Sequence, residues 1–229
     1  SHITITPLNL PQTVKPYTYL HYSVTADTVF YWLNIPTLDS LRFIVSANNK
    51  VIDTAFVRSF PNTIHHEKKP KPVKLAISCN AHENSSGFDF HEPVTFTFGN
   101  PVLNYSLNKI WLIHAKDTLK FSADTSKLPL TFYLNPAHAL DGDSAYRLYM
   151  LPGAFTDIFG ATNDTSDIKF TTLDPTYFGT LKLNIKTAKQ GHYLVELLDS
   201  KNNVYRQDIL SGSKTIFYNA LPPGNYRVR

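Results

Sequence analysis

Val94-Thr-Phe-Thr-Phe98 sets the reading of this chain. Three apolar residues alternate with two threonines, which is the period of a strand with one buried face and one wet face. Lys74-Leu-Ala-Ile-Ser-Cys79 precedes it as a first strand. Ile110-Trp-Leu-Ile113, Thr118-Leu-Lys-Phe121, Leu130-Thr-Phe-Tyr-Leu134, Tyr146-Arg-Leu-Tyr-Met150 and Asp167-Ile-Lys-Phe-Thr-Thr172 follow at short spacing. Gly, Pro, Asn and Asp separate these runs, and seven strands over about a hundred residues predict a sandwich of two antiparallel sheets. Leu151-Pro-Gly-Ala-Phe-Thr-Asp-Ile-Phe-Gly160 interrupts the series and predicts a short turn of helix or a bulge.

Working outward, the same period continues on both sides. Gly179-Thr-Leu-Lys-Leu-Asn-Ile185, Tyr193-Leu-Val-Glu-Leu-Leu198, Asn203-Val-Tyr-Arg-Gln-Asp208 and Lys214-Thr-Ile-Phe-Tyr218 form a third unit, with a turn at Asp199-Ser-Lys-Asn-Asn203. Leu181, Leu183 and Ile185 share one face of the first of these strands. Toward the N-terminus, Tyr17-Thr-Tyr-Leu-His-Tyr-Ser-Val24, Thr28-Val-Phe-Tyr-Trp-Leu33, Leu41-Arg-Phe-Ile-Val45 and Val51-Ile-Asp-Thr-Ala-Phe-Val57 are aromatic and β-branched, as strands are. Asn48-Asn49-Lys50 signals a hairpin turn. The stretch from Pro61 to Pro72 lacks any period and reads as a link. The expectation is an all-β chain of tandem antiparallel β-sandwich, Ig-like units: residues 1–72, 73–174 and 175–229. Pro222-Pro-Gly-Asn225 turns the chain into Tyr226-Arg-Val-Arg229, a strand barely begun, and Ser1-His-Ile-Thr-Ile-Thr6 is strand-like without an initiator Met. Both ends predict a fragment whose last unit is incomplete.

Composition narrows the function classes. Apolar residues make up 42% of the chain, with 13 Tyr, 15 Phe and 2 Trp, so a core can be buried and disorder is not expected. The net charge of +4 is spread out apart from Lys68-Lys69-Pro70-Lys71-Pro72-Val73-Lys74. Pro-interrupted lysines read as a solvated linker, and no Arg-rich helix or RNA-binding aromatic signature accompanies them, so nucleic acid is not an expected partner. Cys79 is the single cysteine, which permits no internal disulfide and no CxxC pair. This usage fits a cytosolic protein or a bacterial exported one that does without disulfides.

The middle unit closes with Asp143-Ser-Ala-Tyr-Arg-Leu-Tyr-Met-Leu-Pro-Gly-Ala-Phe-Thr-Asp-Ile-Phe-Gly-Ala-Thr-Asn-Asp164, a Tyr-x-Leu followed by an Asp-x-x-Gly. That section resembles the Bacteroidetes-type Ig-like domain proteins with an SbsA-type fold. The third unit, from Tyr177-Phe-Gly-Thr-Leu181 to Leu221-Pro-Pro-Gly-Asn-Tyr226, resembles the start of a transthyretin-like, carboxypeptidase-regulatory-like sandwich. The resemblance implies an exported surface protein or lipoprotein, periplasmic or at the cell surface, with an outer-membrane lipid anchor in the full-length form. It carries over no catalytic residues and no membrane span. Within the signature, Asp157 and Gly160 are expected to shape a tight turn, Gly by adopting positive φ and Asp by accepting backbone amides.

Candidate chemistry is sparse. Asp141, Asp143 and Asp157 are the weak candidates for calcium, which takes six to eight loop oxygens, but no Asp-x-Asp-x-Asp-Gly spacing is present and Asx turns explain them better. The adjacent His65 and His66 point opposite ways on an extended chain, so a shared metal is not expected. No Gly-x-Ser-x-Gly, Ser-x-x-Lys or phosphate loop occurs, and although a glycosidase could use an Asp and a Glu, for instance Asp89 with Glu92, nothing marks a cleft. Tyr31 and Trp32, and also Trp111, are candidates for a sugar-stacking platform, with Trp111 expected instead to fill a central core position. Five Asp-Ser/Thr-apolar triplets resemble the O-glycosylation sequon of the same bacterial group, with acceptors Thr28, Ser40, Thr54, Thr118 and Ser144. The resulting expectation is a non-enzymatic envelope protein without a cofactor, whose Ig-like units serve as spacers or protein-docking modules. The alternatives are a carbohydrate-binding module or an accessory domain of an exported hydrolase, so the expected partner is a protein or a glycan at the cell envelope.

Overall fold

The computed structural model describes residues 3–10, 17–21, 28–32, 40–58, 74–82 and 87–229. The N-terminal part contributes β1 (Ile3–Pro7), β2 (Tyr17–His21), β3 (Thr28–Trp32), β4 (Ser40–Ala47) and β5 (Lys50–Arg58). β1, β4 and β5 pair in that order as an antiparallel sheet, and β2 pairs with β3. Between β4 and β5, Asn48 and Asn49 sit at φ 50° and 65°, and Ala47 faces Lys50 across the two-residue loop. Both loop positions of a type I′ turn need positive φ, which asparagine tolerates better than most side chains. Asn9 stitches β1 to β4: its Nδ2 donates to the Ser40 carbonyl at 2.9 Å and its Oδ1 accepts from the Arg42 amide at 2.9 Å. Phe43 is the buried residue of this part among the described residues. The expected link, with its basic run and His65-His66, falls largely in 59–73, outside the described residues.

The middle part runs through β6 (Ile77–Cys79), β7 (Val94–Phe98), β8 (Val102–Tyr105), β9 (Ile110–His114), β10 (Asp117–Leu119), β11 (Phe121–Asp124), β12 (Thr131–Pro136), β13 (Ala145–Met150), β14 (Phe155–Asp157) and β15 (Ser166–Thr171). One sheet has the order β11-β12-β7-β6 and the other β10-β9-β13-β15. All pairs are antiparallel, and this is the pairing order of an immunoglobulin-type sandwich. Val94, Phe96, Phe98, Phe132 and Leu134 from the first sheet meet Leu112, Leu148, Met150 and Phe170 from the second in one apolar core. The clean alternation of Val94–Phe98 is visible there, since all three of its apolar residues are buried.

Two expectations need correction, and a third resolves between its two alternatives. Thr118–Phe121 is not one strand: the chain breaks at Lys120, so that β10 and β11 join opposite sheets, as a sandwich requires of a strand that switches layers. For Leu151–Gly160 the bulge, not the turn of helix, is the alternative present. That stretch holds β14, which pairs with β8 through a register shift between Thr156 and Asp157. Trp111 does not fill the core: Ile110 and Leu112 are buried, and the alternation places Trp111 half-buried on the opposite face of β9.

The C-terminal part comprises β16 (Gly179–Ile185), β17 (Tyr193–Leu198), β18 (Val204–Leu210), β19 (Lys214–Leu221) and β20 (Arg227–Val228). β16 pairs with β19, and β18, β17 and β20 form a second sheet. Val195, Leu197, Leu210, Ile216, Tyr218 and Leu221 build a separate core against which Leu181, Leu183 and Ile185 pack on their shared face. Asp199 Oδ1 accepts the Lys201 and Asn203 amides at 2.8 Å, and Asn202 takes φ 64°, so the predicted turn closes on an Asx motif. The side-chain hydrogen bond from Asn203 holds the Asp199 carboxyl below its ordinary range. No helix among the described residues is long and apolar enough to cross a membrane.

Candidate functional site

Alternation and register together define the outer face of the sheet β10-β9-β13-β15. Tyr146, Leu148 and Met150 are buried, so Arg147 and Tyr149 face outward. Tyr149 stands opposite Trp111 on one side and Asp167 on the other, while Arg147 stands between Ile113 and Lys169. The Trp111 and Tyr149 rings are 6.1 Å apart at 40°. Arg147 donates from Nε and Nη2 to the two oxygens of Asp167 at 2.6 and 2.7 Å, a bidentate fork, and lies 5.3 Å over the Tyr149 ring. The fork raises the guanidinium above its ordinary range and holds the Asp167 carboxyl below its own. Ile113, Arg147 and Lys169 also border an open cleft of about 1360 Å³ that runs on to His114, Asp143 and Tyr177.

The cleft ends at the segment joining β15 to β16, and this segment is tied down. Phe88 pairs with Thr172 in a parallel bridge, the Leu173 amide donates to the Phe88 carbonyl at 2.9 Å, and Thr172 Oγ1 donates to the Asp141 carbonyl at 2.6 Å. Asp174 caps the following single 3-10 turn, Pro175–Tyr177, by accepting the Thr176 amide at 2.7 Å. Phe178 then packs edge-on against Phe90 at 5.4 Å and against His91 at 4.7 Å. A Cβ on Gly142 would lie 2.5 Å from Pro175 Cγ, so only glycine permits this approach.

The anticipated site residues are dispersed. Asp157 is buried and spent on its turn: its Oδ1 accepts the Phe159 and Ala161 amides at 2.9 and 2.8 Å, its Oδ2 accepts Asn100 Nδ2 at 2.9 Å, and Gly160 takes φ 80°. The turn roles expected of Asp157 and Gly160 are those seen. Asp141 and Asp143 are exposed in a different loop, and the Asp143 amide donates to the Leu173 carbonyl at 3.0 Å. No group of three His, Cys, Asp or Glu side chains suited to a metal ion occurs among the described residues. Asp89 Oδ1 accepts the His91 amide at 2.9 Å and lies 3.0 Å from His91 Nδ1, so it is engaged in its own turn. Trp32 stacks on Phe30, at 5.6 Å and 25°, and the side chain of Tyr31 lies outside the described residues. Among the glycan acceptors, Thr54 on β5 and Thr118 on β10 are exposed on edge strands, and Ser40 is half-buried. Ser144 donates its hydroxyl to the Gly142 carbonyl at 3.0 Å, and the side chain of Thr28 lies outside the described residues.

Cys79 is half-buried, and burial pushes its thiol up to about 11. At pH 8 the thiolate is then roughly one part in a thousand. Iodoacetamide should alkylate the folded protein far more slowly than the urea-unfolded chain, followed by mass spectrometry. Equal rates would mean that the thiol is not shielded.

Comparison with family models, with curated proteins and with solved structures returns no match to this chain. The aromatic pair and fork on the outer sheet face were not legible as a group beforehand. Register alone brings Trp111, Tyr149 and Asp167 into one row.

Proposed function

We propose that this chain is a non-enzymatic β-sandwich module of the cell envelope, a spacer that holds docking surfaces at a fixed separation. The observation that carries this reading is the tied segment between β15 and β16. A flexible linker leaves its backbone groups to water, whereas here the chain from Thr172 to Phe178 is hydrogen-bonded, capped and packed over its length. The aspartates agree with a structural role. Asp89, Asp124, Asp157, Asp174 and Asp199 each accept a backbone amide within a few residues, the chemistry of turns. Exposed sheet faces and edge strands then supply contact area for a protein partner.

The test is a distance distribution. Spin labels at Ser122→Cys on β11 and Lys182→Cys on β16, in a Cys79→Ala background, report the separation of the two sandwiches by pulsed electron resonance. A single narrow distribution is expected, broadened by Phe178→Ala. A broad distribution in the parent protein would rule out a fixed spacer.

A further inference from the structure

The outer face of β9, β13 and β15 goes beyond a spacer's needs. Its two rows are chemically distinct: Trp111, Tyr149 and Asp167 in one, Ile113, Arg147 and Lys169 in the other. Strands about 4.8 Å apart make this patch about 10 Å wide, the span of one to two sugar rings. Arg147 and Lys169 are direct cross-strand neighbours, and with Asp167 forked to Arg147 the three side chains leave one net positive charge on this face. Asp167 is the carboxylate of this face, and both its oxygens are taken by Arg147. Lys169 is exposed and has no ion-pair partner among the described residues. The fork uses Nε and Nη2 of Arg147 and leaves Nη1 clear of Asp167.

We infer that this face binds an acidic glycan, a chain of pyranose rings bearing carboxylates. One ring lies with its C–H face on Trp111 beside Tyr149, since apolar sugar faces suit aromatic surfaces. Its hydroxyls meet the fixed Arg147–Asp167 fork, whose two side chains are 46% and 39% exposed and held in one geometry before any ligand arrives. The carboxylate of the ring settles on Lys169, beside the Nη1 edge of Arg147 that Asp167 leaves clear. A neutral glycan offers Lys169 no carboxylate, and polyglutamate has no ring to stack. The assignment is independent of the spacer reading, because it concerns one face of one sandwich.

The experiment is calorimetric titration of the full chain with tetragalacturonate and alginate oligomers, with fully methyl-esterified tetragalacturonate, and with polyglutamate. Binding of an acidic oligosaccharide is expected, with about tenfold losses in Trp111→Ala and in Lys169→Gln. The ester should bind about tenfold more weakly, and polyglutamate more weakly still. Trp111→Phe keeps a stacking ring and should retain most affinity, which guards against a folding defect in the alanine variant. Trp32→Ala should bind as the parent does. Equal affinity for acid and ester, equal affinity for polyglutamate, indifference to both substitutions, or no binding of any acidic oligomer would each overturn the assignment.

Discussion

Phe155→Ala should lower the stability of the middle sandwich by about 3–5 kcal/mol, the largest loss expected from a single truncation. Phe155 is fully buried on β14, with the rings of Phe96, Phe98 and Phe132 at 5.4, 4.9 and 5.2 Å. It therefore touches β7 and β12 from a pair of strands that belongs to neither main sheet, and it plugs the core from outside the layers. Truncation removes the transfer energy of the ring and leaves a hole that three other rings must fill. Those rings sit on paired backbone and relax little, so the cavity persists. For a sandwich of about a hundred residues the melting transition should fall by about 15 °C or more. Calorimetry should show the shift, and the C-terminal core, built from other residues, should melt where it did before. Phe155→Leu should recover a good part of the loss. A change below about 1 kcal/mol would mean that the β8-β14 pair is not integral to the core.

Asp157→Ala should cost about 3 kcal/mol, for a different reason. Here no apolar surface is lost, but three donors lose their acceptor: the Phe159 and Ala161 amides and Asn100 Nδ2. The Ala161 amide and Asp157 itself are buried, so water cannot take over readily. Asp157→Asn keeps an oxygen for the two backbone amides but turns an amide toward another amide at Asn100. It should cost about half as much as alanine, within the range for one broken buried hydrogen bond. Adding Asn100→Asp restores an opposite pairing and should recover most of that loss, a coupling that a urea double-mutant cycle reads directly. If the double variant is no better than Asp157→Asn, the Asn100 contact is not what holds this turn.

The legible and illegible parts of the fold differ for physical reasons. Val94–Phe98, Gly179–Ile185 and Tyr193–Leu198 were readable to the residue because alternation, or a β-rich run bounded by turn formers, survives in them. β8 was not, since Leu103, Asn104 and Tyr105 are all exposed and only Val102 is buried, leaving no period to detect. The break at Lys120 was hidden because residues on both sides suit a strand, and only the change of sheet divides them. Trp111 was misplaced for a related reason. Ile110-Trp-Leu-Ile113 is apolar throughout, so its phase is undefined until Leu112 is seen to be fully buried. The site on that face depends on register between strands far apart in the chain, which local pattern does not encode. Asp157 and Gly160 were the opposite case, because an Asp-x-x-Gly turn is closed by atoms within four residues.

The way the chain enters and leaves the middle sandwich bears on how it would carry tension. It enters through β6, which is paired with β7 over three positions, and leaves through β15, which is paired with β13 over six. A pull along the chain therefore loads two seams of unequal length, on opposite sheets. The short seam at the entrance is braced by the Lys74–Asp164 ion pair and by the Leu75 amide donating to the Thr162 carbonyl at 3.0 Å, which tie the entering segment to the loop just before β15. Under load that brace and β6 would yield first, letting out slack at the N-terminal side while the long seam and the tied segment beyond it stay shut.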